Sequence, residues 1–185
     1  MFNDSGSDKS SGHSYHEIYS KILPEKISSL LEVGIANDET PGRSSLHAWS
    51  KIYPEAKIYG ADIIAEKLIN ENNITSYLVD QSSAASLYQL SNDIWLLDVI
   101  IDDGSHILTD SIQTFNFLKN NMKVNSSIYV IEDVGKISPP YRQTLSGLEN
   151  FFSSNSEQFS YKVYDAKPGI TADDSVLIVI RKLYA

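Results

Sequence analysis

The sequence predicts an α/β protein, a three-layer α/β/α sandwich around a seven-stranded, mostly parallel sheet that ends in an antiparallel hairpin. Three observations predict it. Short apolar runs rich in Val, Ile and Leu alternate with stretches of helical spacing, the pattern of a parallel sheet covered on both faces. Several of these runs stop abruptly in carboxylates. Near the end of the chain two apolar runs follow each other with only a Pro168-Gly169 turn between them, which reads as a hairpin.

Each element has its own warrant. The polar, Ser/Gly/Asp-rich residues 1–12 read as a flexible segment, and residues 13–185 as one domain. His13 to Leu23 reads as a helix, because Tyr15, Ile18, Tyr19 and Ile22 share one face and Pro24 stops it. Ser29 to Val33 is a strand that runs into Gly34. Asn37 to Gly42 has loop composition. Ser44 to Tyr53 reads as a helix with Leu46, Trp49, Ile52 and Tyr53 inward and Pro54 as the stop. Lys57 to Gly60 is the second strand and leads into Asp62. Ile64 to Asn70 reads as a helix broken by Asn72-Asn73. Thr75 to Val79 is the third strand, followed by Asp80-Gln81, and Ser83 to Leu90 is a helix. Ile94 to Ile101 is the fourth strand, and Thr109 to Met122 is an amphipathic helix carrying Ile112, Phe115, Phe117 and Leu118. Ser127 to Ile131 is the fifth strand. A loop with Pro139-Pro140 precedes a helix from about Arg142 to Phe152, and Phe159 to Tyr164 and Ser175 to Ile180 form the closing hairpin.

Composition narrows the function classes. The 185 residues, 42% of them hydrophobic, suffice for a core without staples. The absence of cysteine excludes disulfides, iron–sulfur clusters and thiolate zinc sites. A formal net charge of −9 argues against a nucleic-acid backbone as partner, which needs a basic footprint. No apolar run reaches the roughly 18 residues of a membrane span, and no signal-peptide core precedes the first helix. The expected location is therefore the cytoplasm.

The chemistry concentrates in Ile100-Ile101-Asp102-Asp103-Gly104-Ser105-His106. A buried-type strand ends there in two carboxylates, a glycine and an imidazole, and the fifth strand ends in Glu132-Asp133. In an open parallel sheet, ligands bind beyond the carboxyl ends of the strands. Two such ends bearing paired acids, with a histidine beside them, suggest a divalent cation and a base. Helix capping explains single acids at such places, and Asp102 or Asp110 can be doing only that. Gly34 can simply turn the chain, and Asp62 can simply cap the next helix.

Leu31-Glu32-Val33-Gly34-Ile35-Ala36, Gly42, Ile58-Tyr59-Gly60-Ala61-Asp62 and Val79-Asp80-Gln81-Ser82 resemble the cofactor motifs of the Rossmann-like class I S-adenosylmethionine-dependent methyltransferases. Asp102-Asp103-Gly104-Ser105-His106 and Ile131-Glu132-Asp133 are similar to motifs of a narrower, metal-dependent branch, which includes the sugar O-methyltransferases of macrolide biosynthesis. The segment from Ser7-Asp8-Lys9 through His13, Tyr15 and Tyr19, and the ending Asp174 to Lys182, carry the same resemblance.

The resemblance implies S-adenosyl-L-methionine as cofactor. Gly34 would allow close backbone approach, and Glu32 would hold the loop or reach the cofactor's ammonium group. Asp62, followed by Ile63, would accept from the ribose hydroxyls. Asp80, with Gln81 beside it, would meet the adenine amino group. Asp102 would face the cofactor or orient a neighbour. His13 would close over the cofactor, and Tyr15 would either pack or lie over the adenosine.

The resemblance further implies a divalent cation, most naturally Mg2+ for oxygen donors, on Asp103, Glu132 and Asp133, with His106 as the base. The acceptor it implies is a hydroxyl of a sugar or glycosylated small molecule. The same chemistry would serve a catechol-like diol, and a cofactor-binding domain without transfer activity is the non-catalytic alternative. Phosphoryl chemistry fits poorly, because the acidic motif lies on the fourth strand. Two departures stand out. Asn37 to Pro41 lengthen the first cofactor loop, and the chain lacks segments that larger relatives carry, which leaves room for a homo-oligomer that completes the acceptor pocket.

Overall fold

The computed structural model describes residues 15–35, 44–136, 143–167 and 175–183. Their elements in chain order are α1 (Tyr15–Ile22), β1 (Ser29–Val33), α2 (Ser45–Ile52), β2 (Lys57–Asp62), β3 (Ile74–Leu78), α3 (Ala84–Asp93), β4 (Val99–Asp102), α4 (Leu108–Leu118), β5 (Ile128–Val134), α5 (Leu145–Ser153), β6 (Phe159–Asp165) and β7 (Val176–Lys182). The strands form one sheet in the order β3-β2-β1-β4-β5-β7-β6. The first five are parallel, and β7 runs antiparallel to both β5 and β6. The predicted seven-stranded architecture with its terminal hairpin is therefore the observed one.

The strand order reverses between β1 and β4. Chain connections leave these two neighbours in opposite directions, and a crevice opens beyond their carboxyl ends. The central strands are covered on both sides, so they read as continuous apolar runs. One face carries Leu31, Ile100, Phe115, Tyr129, Ile131 and Phe152. The other carries Tyr19, Leu30, Trp49, Ile58, Ile101 and Val130. Phe115 sits at the centre of the first layer, with edge-on contacts to Tyr129, Phe152 and Phe159 at ring-centre distances of 5.2, 4.9 and 5.0 Å.

Several boundaries differ from those the sequence suggests. The apolar run Ile94 to Ile101 contributes only Val99–Asp102 to the sheet. Its first half is an irregular connection that buries Ile94 and Leu97 in the core and leaves Trp95 83% exposed. The predicted helix at Ile64 to Asn70 is a single 3-10 turn, Ala65–Lys67. Asp62 holds the Ile64 N–H at its start, and Asn70 Oδ1 accepts from Ser76 N–H at its end, so side chains take over backbone pairing there. The helix predicted to reach Met122 stops at Leu118 and continues as a 3-10 turn. Ser44, Ser83 and Thr144 are N-caps rather than helical residues. The polar segment 1–12, the 37–42 loop, Pro139-Pro140 and Pro168-Gly169 lie outside the described residues. Among the described residues, no helix is long and apolar enough to cross a membrane.

Candidate functional site

A cleft of about 550 Å³ lies beyond the carboxyl ends of β1 to β4, within the size range of small-molecule sites. Its walls include Gly34, Asp62, Ile63, Asp80, Asp103 and His106. Gly34 has φ +87°, and a Cβ there would fall 2.1 Å from the Asp103 carbonyl oxygen. Only glycine therefore lets the β1 and β4 ends approach this closely. Gly104 is pressed in the same way against Gln81, with Oε1 1.9 Å from where its Cβ would stand.

The carboxylate at the end of β2 is anchored. Asp62 Oδ2 accepts from Ile35 N–H at 2.8 Å, and Oδ1 accepts from Ile64 N–H at 2.9 Å. Lys67 Nζ lies 3.7 Å away on the cleft wall. Asp62 thus ties β1's loop to its own and keeps lone pairs for a further donor. Asp80 Oδ1 accepts from both the N–H and the hydroxyl of Ser82, and these bonds hold its carboxyl below the usual range.

Gln81 lines the cleft, but its side-chain amide is fully engaged. Nε2 donates to Asp102 Oδ1 at 2.8 Å and to Thr114 Oγ1 at 3.0 Å, and Oε1 accepts from Ser105 N–H at 2.7 Å. It braces the β3 and β4 ends against each other. Asp102 is buried behind that brace and does not line the cleft. Burial pushes its pKa up to about 7, against the opposing pull of the Gln81 and Gly104 hydrogen bonds. Glu32 is also fully buried, at the β1 register position between Gly60 and Ile101.

At the β4–β5 side of the cleft, Asp103, His106 and Asp133 converge. His106 Nε2 is 3.9 Å from Asp103 Oδ1 and 3.8 Å from Asp133 Oδ2. Single ligand atoms of the three lie within 4.8 Å of one another, and all three side chains are partly exposed. Glu132 and Asp133, neighbours in sequence, part company. Glu132 is buried and accepts from the Tyr19 hydroxyl, on the α1 side of the sheet. Asp133 is a bulge residue. Ile131 pairs with Ile178 and Val134 with Val176, so β5 spends three steps where β7 spends two. The extra residue has φ +52°.

Of the sequence-derived candidates, Gly34, Asp62, Ile63, Asp80, Gln81, Asp103, His106 and Asp133 border the cleft. Glu32, Asp102, Glu132 and Tyr15 do not. Tyr15 is buried, and its hydroxyl donates to Asp133 Oδ1 at 2.7 Å. His13 lies outside the described residues.

Sequence reasoning passed over Gln143, which is buried. Its Oε1 accepts from Ser111 Oγ at 2.6 Å. Its Nε2 donates to the carbonyls of Glu132 and Asp133 and lies 3.3 Å from His106 Nδ1. An amide nitrogen can only donate, so a neutral ring making that contact carries its hydrogen on Nε2. A lone glutamine beyond a Pro-Pro loop carries no spacing signal that could have pointed to it.

No family model matches the chain. Individual relatives do. It is 31% identical over 134 residues to the 8-demethyl-8-alpha-L-rhamnosyl tetracenomycin-C 2'-O-methyltransferase of Streptomyces olivaceus, a match covering 70% of this chain and 35% of that protein. It is 33% identical over 107 residues to the mycinamicin VI 2''-O-methyltransferase of Micromonospora griseorubida, covering 57% of this chain and 27% of that protein. The MycE methyltransferase of mycinamycin biosynthesis, solved in complex with Mg, SAH and mycinamycin VI, superposes with a TM-score of 0.70 at 23% identity over 92% of this chain and 48% of that one. The chain thus spans about half or less of the length of the proteins it matches. It has the class I S-adenosylmethionine-dependent methyltransferase fold and is a sequence relative of these sugar O-methyltransferases.

Proposed function

We propose that the chain transfers a methyl group from S-adenosylmethionine to a hydroxyl of a sugar or glycosylated small molecule, assisted by Mg2+. The observation that carries this reading is the convergence of Asp103, His106 and Asp133 on the wall of the same cleft that Gly34, Asp62 and Asp80 border. The relatives named above act on sugars of this kind, and MycE was solved with Mg and SAH.

The residues present fit both groups. The glycine approach at Gly34 and the anchored, still acceptor-capable Asp62 suit the backbone and diol of an adenosyl cofactor. Two carboxylates and an imidazole suit a hard divalent ion. When bound, the cofactor supplies an electrophilic methyl group, and the cation supplies positive charge for an oxygen that loses its proton. Asp103 and Asp133 would hold the cation. Glu132, the third carboxylate of the sequence reading, is buried beside Tyr19 and does not border the cleft, so ligation by it requires its side chain to move.

His106 would take the proton of the acceptor hydroxyl at Nε2. To do so the ring must first exchange its hydrogen with solvent from Nε2 to Nδ1, and a protonated Nδ1 no longer accepts from Gln143. That contact is the easiest of the amide's three to give up, because the amide has two hydrogens and two carbonyls to receive them. Net charge −9 favours a small acceptor over a nucleic-acid backbone, and the proposed place of action is the cytoplasm.

The test is transfer of labelled methyl from S-adenosylmethionine to a panel of rhamnosides, other deoxysugar glycosides and catechols, with Mg2+ or with chelator. Mg2+-dependent label on a glycoside supports the reading. Label on catechols alone would reassign the acceptor. Cofactor binding without transfer to any acceptor would leave only a binding domain.

A further inference from the structure

Two residues of the candidate site have left-handed backbones without being glycine. His106 has φ +54° and Asp133 has φ +52°. Side chains disfavour this region, and a residue stays there only when its surroundings hold it. Both backbones are gripped by the same residue. Gln143 N–H donates to the His106 carbonyl at 2.9 Å, and Gln143 Nε2 donates to the carbonyl of Asp133 at 3.1 Å and to that of Glu132.

The orientation of the amide is forced. Turned over, it would aim its oxygen at two carbonyl oxygens. As it stands, the oxygen receives the Ser111 hydroxyl, and α4 thereby holds the clamp from behind. Gln143 is 2% exposed, so no water competes for these bonds.

We infer that Gln143 is a positioning residue, holding His106 and Asp133 in the left-handed backbone that turns their side chains toward each other and Asp103. The inference rests on the proposed methyltransferase site for its purpose, but the clamp is measurable without it. Released from Gln143, the Asp133 carbonyl is free to rotate, and the bulge relaxes toward regular strand. The Asp133 carboxylate would then leave the group. The hydrogen bonds of Gln143 run to His106, Ser111, Glu132, Asp133 and Gly135, so the Asp62 side of the cleft stays as it is.

The experiment compares the parent chain with Gln143→Met and Ser111→Ala, using NMR of the free proteins, Mn2+ titration followed by electron paramagnetic resonance, and calorimetry with S-adenosylhomocysteine. In Gln143→Met the Asp133 Cα and Cβ shifts should leave the left-handed range. Mn2+ affinity should fall about ten- to a hundredfold, as for other groups that orient metal ligands, and S-adenosylhomocysteine affinity should stay within twofold. Ser111→Ala should move the same readouts in the same direction by less, and it decides the matter if Gln143→Met does not fold. Unchanged Asp133 shifts, or Mn2+ affinity equal to the parent's, would overturn the clamp. A parent chain that binds no Mn2+ would overturn the metal reading of the site, while the Asp133 shifts still decide the clamp.

Discussion

The Tyr15 hydroxyl donates a 2.7 Å hydrogen bond to Asp133 across 118 positions of sequence. Burial, then the charge of Asp133, push the phenol's pKa far above its ordinary value, so it remains a donor at any working pH. α1 thus contributes to the site from the opposite end of the chain. Tyr15→Phe should weaken Mn2+ binding about tenfold and leave S-adenosylhomocysteine binding unchanged. A calorimetric loss of cofactor affinity with metal affinity intact would instead put Tyr15 over the adenosine.

Glu132 and Asp133 should separate by substitution. Asp133→Asn removes a carboxylate that faces Asp103 and His106, and it should cost Mn2+ affinity at least about tenfold. Glu132→Gln alters a buried partner of Tyr19 and should cost thermal stability first. Equal loss of metal affinity in both variants, with unchanged melting temperatures, would mean that Glu132 ligates directly.

His106→Ala should lower turnover by roughly 100- to 10,000-fold at saturating Mg2+, the range of a lost general base, with cofactor affinity retained. Rescue of the rate by excess Mg2+ would make His106 a metal-holding residue and not the base.

Asp62→Ala should reduce S-adenosylhomocysteine affinity strongly, because it removes both an acceptor in the cleft and the anchor of Ile35 and Ile64 N–H. Asp80→Ala removes a cleft carboxylate that organises Ser82 within its own loop, and it should cost less. Calorimetry on the two variants gives the order directly, and the reverse order would move the main cofactor contact to Asp80.

Asp102 makes stability fall as pH rises. Burial raises its folded pKa to about 7, above an unfolded value near 3.9. Its stabilising contribution is therefore complete below about pH 3.9 and is lost progressively up to about pH 7. Asparagine mimics the protonated form and keeps an oxygen for Gln81. Asp102→Asn should raise the melting temperature at pH 8 by at least about 2 °C, the change that roughly 1 kcal/mol makes in a chain of this size. The gain should vanish near pH 4. A gain that persists at pH 4 would show that the carboxylate is not titrating in this window.

The sequence by itself determined the layers, the strands and the edge of the sheet where chemistry gathers. Those features depend on local pattern. Val99–Asp102 and Ile128–Val134 are apolar because both faces of the sheet are covered, and each runs into carboxylates at its carboxyl end. Gly34 stands where only glycine fits, and its place after β1 is visible in the motif. Only the tertiary structure decided which of these carboxylates meet. Glu132 and Asp133 are adjacent letters, but the β5–β7 register inserts one residue between Ile131 and Val134 and sends them to different partners. That register is set by pairing with residues more than forty positions later, which no local spacing encodes. Gln81 reads as a cleft residue and borders the cleft, but its second part, as a brace between two strand ends, came only with the packing. Gln143 reads as nothing, because its role consists of carbonyls and a hydroxyl on three other segments that come together only when α4, β5 and the His106 loop pack.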